Sequence, residues 1–186
     1  VNTEDGCHIH GILLKKRWHS SRIYCRSGAP RLFLTAHHNE ADDSFAFFPF
    51  TFDLRMRVSL IGNSVVQATT VINQSRMPLP LGVGFHTNLS VKGPSAGASV
   101  LISDVEQWTV NDTHLPTGDV DYENALLEEL RLGQLRTERQ RLSDILLKDS
   151  APGVPHRAFL TNAAGEVRVE YRKSRTLPFW VLWNGD

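Results

Sequence analysis

The sequence predicts an all-β chain, an antiparallel β-sandwich with at most one or two short helices. Three observations carry this. Apolar and polar residues alternate over residues 50–60. Prolines and glycines punctuate the chain at short intervals, as turns between short strands require. A single stretch, residues 121–147, has the Leu, Glu and Arg content of a helix.

Residues 31–35 form the first strand candidate. In residues 50–60, Phe50, Phe52, Leu54, Met56, Val58 and Leu60 alternate with Thr51, Asp53, Arg55, Arg57 and Ser59. Strand side chains alternate faces, so the apolar set points inward and the polar set outward. Gly62, Asn63 and Ser64 supply a turn. Residues 65–73 return with Val66, Ala68, Thr70 and Ile72 on one face, completing a hairpin. Further strands are expected at 82–91, 99–102 and 106–110. Gly133 interrupts the helical stretch. After a turn at 162–165, Val167, Val169 and Tyr171 alternate with Arg168, Glu170 and Arg172. Residues 177–183 read as a buried strand. Pro78, Pro80, Pro94, Pro116, Pro152, Pro155 and Pro178 are placed between strands, as breakers.

The chain has 186 residues and a mass of 20.9 kDa. That suits a single domain spanning residues 1–186, and a chain of this size buries roughly 70% of its unfolded surface. Hydrophobic residues at 41% and charged residues at 22% exclude a disordered chain. Twenty basic residues balance twenty acidic ones, which argues against a broad nucleic-acid surface. No apolar run reaches the ~18 residues of a membrane span, and no basic-then-apolar leader opens the chain. Cys7 and Cys25 read as free thiols in a reducing compartment, so a cytoplasmic location is expected. Val1 stands first in place of Met, and an apolar run lies close to Asp186. The domain therefore reads as truncated at both ends.

Eight histidines stand out, with His8 near His10 and His37 beside His38. His86 lies in a run of small and apolar residues, where glycines allow a ligand close approach. Residues 73–86 read N-Q-S-R-M-P-L-P-L-G-V-G-F-H. This resembles the aldose 1-epimerase (galactose mutarotase) superfamily, in which a strand ending in Asn leads through a Pro-containing link to Gly-x-His. His10-Gly11 followed by Trp18, Phe48-Pro49-Phe50, Leu115-Pro116-Thr117-Gly118, Leu142-Ser143-Asp144 and Phe179 to Trp183 fall in the family's order.

The resemblance implies a galactose mutarotase-like sandwich and interconversion of the anomers of a hexose or hexose phosphate. It makes His86 the general acid, a role open to imidazole because its ordinary pKa is about 6.5. It places His10 with His86 in the catalytic site, hydrogen-bonded to the sugar close to the reacting centre. Asp144 and Asn73 become substrate-binding residues, the carboxylate accepting from sugar hydroxyls. Ring opening needs only proton transfer, so no cofactor and no metal is implied. The implied partner is a small sugar, with no nucleic acid or membrane. Thr87-Asn88-Leu89 replaces the family's usual Pro-Tyr-Phe after the histidine, which marks a divergent member. The family's general base, a Glu after the final Trp segment, has no counterpart before Asp186.

Two other readings compete. The same sandwich could bind carbohydrate without turning it over. A cupin-type metal enzyme would use His8 and His10 as ligands, although Leu13, Leu14 and Lys15 stand where its Glu belongs.

Overall fold

A computed structural model describes residues 10–14, 16–26, 29–90, 97–122, 124–138, 141–143, 145–150 and 156–184. The chain divides into two compact units, Val1–Gly82 and Val83–Asp186.

The first unit is a four-stranded antiparallel meander: β1 (His19–Arg26), β2 (Ala29–His38), β3 (Phe52–Ile61) and β4 (Ser64–Asn73), in that spatial order. The alternating stretch is β3. It turns into β4 through Gly62 and Asn63, with Ile61 paired to Ser64 and a positive φ of 57° at Gly62. Glycine is favoured there because a Cβ resists that backbone conformation. Phe52 and Leu54 are buried with Ala36, and Ile12, Leu13, Trp18, Phe48, Val71 and Leu79 pack against them.

The alternation does not hold to the end of β3. Leu60 is 45% exposed, whereas Ser59 is only 4% exposed. The covering side chains sit over Phe52 and Leu54, and Leu60 lies near the hairpin turn beyond them. Ser59 is a short side chain between Arg31 and Val66 on the flanking strands. Cross-strand partners share a face. Because Leu54 opposes Val71, the core side of β4 carries Thr69 and Val71. Val66, Ala68, Thr70 and Ile72 share the other face with Ser59, Arg57, Arg55 and Asp53.

The second unit contains β5 (Ser99–Leu101), β6 (Val105–Val110), β7 (Pro116–Asp121), α1 (Ala125–Leu132), β8 (Leu135–Arg136), β9 (Ile145–Asp149), β10 (Arg157–Thr161), β11 (Val167–Arg172) and β12 (Phe179–Leu182). They form two four-stranded sheets, ordered β11-β10-β5-β8 and β12-β9-β6-β7. Every strand pair is antiparallel. One core joins both sheets to the helix: Val105 and Leu147 from one, Leu135 from the other, and Leu126, Leu127 and Leu130 from α1. That is sandwich packing, two sheets around a shared apolar layer.

The helical stretch yields one α-helix. Asn124 caps it, its side-chain oxygen accepting from the Leu126 N–H at 2.9 Å. Gly133 ends it at φ +66°, with the Gln134 N–H bonded back to the Glu129 carbonyl at 2.8 Å. The rest of that stretch supplies β8, which pairs with β5, and β9, which lies between β6 and β12; that pairing outweighs the helical propensity of Leu and Lys. Substituting Gly133→Ala should cost about 1–2 kcal/mol, since an L-residue is strained in that conformation. An added Cβ would also stand 3.2 Å from Leu101 Cδ1. A drop in the urea midpoint checks this.

Other expectations change with the structure. Residues 82–90 contain no strand. Prolines at 78 and 80 lack an N–H to donate, and glycines at 82 and 84 give nothing to pack. The apolar run 177–183 contains β12 but is not buried. It lies at the edge of its sheet, and Val181 is 66% exposed. Pro116 begins β7, an edge strand, where a missing N–H is tolerated. The turn at 162–165 forms as expected, with Asn162 N–H bonded to the Glu166 carbonyl at 3.0 Å.

Candidate functional site

His86 is exposed and lies on an irregular segment. Side chains substitute for the missing ladder. Its ring meets the Trp183 ring edge-to-face, with centroids 6.0 Å apart and planes at 73°. Next to it, the Thr87 hydroxyl lies 3.3 Å from the Tyr171 hydroxyl on β11.

Trp183 follows directly after β12 and is held from both sides. Before it, Leu182 pairs with Ile145. After it, Asn184 is tied to two neighbouring segments by hydrogen bonds. Its N–H donates to the Leu142 carbonyl at 3.2 Å, and its side-chain amide donates to the Thr137 carbonyl at 2.8 Å. Its side-chain oxygen accepts from the Leu142 N–H at 2.6 Å. Asp144 lies outside the described residues. Its chain neighbour Ile145 and the nearby Leu142 run alongside residues 182–184.

Behind Tyr171 lies a buried polar cluster. The Tyr171 and Trp180 rings are 5.8 Å apart. The Trp180 indole N–H donates to Asp149 Oδ1 at 3.1 Å. Asp149 Oδ2 takes the Lys173 ammonium and lies 3.0 Å from His156 Nδ1. The ammonium also donates to the Leu177 carbonyl and stands 4.8 Å from the centre of the Trp180 ring. Burial lowers the Lys173 pKa from its ordinary 10.5, against the opposing pull of Asp149. A carboxylate with three donors is satisfied despite its burial.

His10 and Asn73 belong to the first unit. His10 is exposed, in a turn. Asn73 ends β4 and closes the loop after it. Its amide donates to the Met77 carbonyl at 2.8 Å, and its oxygen accepts from the Ser75 N–H at 2.9 Å.

The neighbouring histidines 37 and 38 point to opposite faces of β2, as successive strand residues do. His38 is fully buried among Phe45, Phe48 and Phe52, and its Nε2–H donates to the Phe48 carbonyl at 3.0 Å. Its Nδ1 lies 3.5 Å from Asp42, whose pKa is lowered chiefly by the Lys16 ammonium. His37 Nδ1 is 2.7 Å from Asp53, and that hydrogen bond is the main cause of the lowered Asp53 pKa. Both carboxylates therefore stabilise the fold above about pH 3.8, their ordinary value, and that support is lost as pH falls through their lower folded values. Asp53→Asn should shift the acid unfolding midpoint, read by circular dichroism, toward less dependence on pH below 4, as expected when roughly one such carboxylate no longer titrates.

Among the described residues, no three His, Cys, Asp or Glu side chains gather as metal ligands, and His8 lies outside them. Among those residues, too, no helix is long and apolar enough to cross a membrane.

The antiparallel sandwich has the galactose mutarotase-like fold. The solved structure of a galactose mutarotase-like protein from Clostridium acetobutylicum matches this chain with a TM-score of 0.85. The two are 21% identical, and the match covers 95% of this chain and 54% of that protein. The chain thus spans about half the length of that relative. The family model for aldose 1-epimerase matches residues 1–186, so the chain belongs to the aldose 1-epimerase family.

Proposed function

We propose that the protein interconverts the anomers of an aldose, a hexose or hexose phosphate, by opening and closing the sugar ring. The observation that supports this best is His86: exposed, and fixed against Trp183. A base removes the proton of the anomeric hydroxyl while His86 delivers one to the ring oxygen. The bond from the anomeric carbon to the ring oxygen breaks, giving the open aldehyde. Rotation about the first carbon–carbon bond and the reverse transfers close the other anomer. In this reading His10 bonds the sugar near the reacting centre, and Asp144 and Asn73 accept or donate to its hydroxyls. The Asn73 side chain would do so in addition to closing its own loop. The base is the family's Glu, which the resemblance puts after the Trp183 segment.

The test is NMR exchange spectroscopy on equilibrated D-galactose, D-glucose and glucose 6-phosphate, using the longest natural form of the protein. Faster anomer exchange in any of the three supports the reading. Sugar binding with no exchange would instead identify a carbohydrate-binding module.

A further inference from the structure

We propose that Trp183 is the aromatic platform on which an aldopyranose ring lies beside His86, an inference that rests on the epimerase reading for its setting.

Trp183 is 57% exposed and is the exposed one of the four tryptophans. Trp18, Trp108 and Trp180 are each partly buried and engaged. Trp18 packs on the first core. Trp108 bonds Glu106 and lies 4.3 Å under the Lys148 ammonium. Trp180 serves Asp149 and Lys173. Trp183 instead presents its ring to solvent while its backbone is pinned by β12 pairing and by Asn184. Preorganisation of this kind lowers the entropy cost of binding.

The chemistry fits a pyranose. Its hydroxyls form a polar rim, and its axial C–H bonds form an apolar face. The neighbouring oxygens leave those hydrogens slightly positive, and the face of an indole is slightly negative. A pyranose lying on Trp183 therefore buries its apolar face and turns its rim toward the imidazole of His86. A linear polyol with the same hydroxyls has no rigid apolar face to offer.

Methyl β-D-galactopyranoside and methyl β-D-glucopyranoside test this, because they keep the ring and cannot mutarotate. Their titration should shift the indole N–H signal of Trp183, identified by its absence in Trp183→Phe. D-Glucitol should leave it in place. Trp183→Leu should weaken glycoside binding, and raise KM for the free sugar, by about tenfold. Trp183→Phe should recover most of that loss. A Trp183 signal unmoved by either glycoside, or wild-type affinity in Trp183→Leu, would overturn the proposal. Glycoside binding at Trp183 without anomer exchange would uphold the platform and remove the epimerase reading. Exchange with a silent Trp183 would do the reverse.

Discussion

His86→Ala is expected to slow anomer interconversion by about 10²–10⁴-fold, the usual contribution of a positioned general acid. The fold should survive. His86 is exposed and sits outside every strand, so its removal opens no core cavity. A change in unfolding free energy within about 0.5 kcal/mol is the expectation for such a site. Activity near wild type in a folded His86→Ala protein would remove His86 from the mechanism. Loss of activity together with loss of the unfolding transition would instead show His86 to be structural.

Asp149→Ala should act in the opposite sense, striking stability first. The substitution leaves the Lys173 ammonium and the Trp180 N–H buried without their shared acceptor. Breaking one side of a buried ion pair typically costs about 3–5 kcal/mol. The pH dependence identifies the cause. Burial already lowers the Lys173 pKa, and Asp149 is the group that opposes this. Without Asp149 the folded protein releases that proton more readily than the unfolded chain. Stability of the variant should therefore rise as pH climbs toward 10.5, the ordinary lysine value. Urea unfolding at neutral and alkaline pH measures both effects. Adding Lys173→Met should recover part of the loss, the remainder belonging to Trp180 and His156. A deficit in Asp149→Ala below about 1 kcal/mol at neutral pH would show that the cluster is not a stabilising centre.

Where the sequence was read correctly, the determinants were local. The alternation at Phe52 and Leu54 and the turns at Gly62 and 162–165 each depend on neighbours within a few residues. The overall class and the epimerase resemblance came from such pieces in order. Three features failed for a common reason. β1 carries scattered polar residues and exists because β2 pairs with it. β9 has a helix-favouring composition overridden by strands on both sides. Residues 82–90 have the apolar character of a strand but no pairing partner among the described strands.

The site shows the same division. His86 was legible from its motif, although its support was not. Trp183 falls in a run that reads as a buried strand, and neither its exposure nor its contact with His86 is written in that run. Nothing local in the sequence marks Asp149. Its partners Lys173 and Trp180 are 24 and 31 residues away, and spacing of that kind carries no periodic signal.

The two connectivities also set different tempos for assembly. In the first unit every strand pairs with its neighbour in sequence, so each contact closes a short loop. In the second unit Ser99 must find Thr161, 62 residues later, and β9 must wait for β12. Long loops delay folding because their closure entropy must be met before the contacts reward it. On a ribosome the meander of the first unit can settle while the sandwich of the second still lacks its edge. β12 emerges after the eleven described strands before it and leads straight into Trp183, so the surface beside His86 takes shape later than the meander.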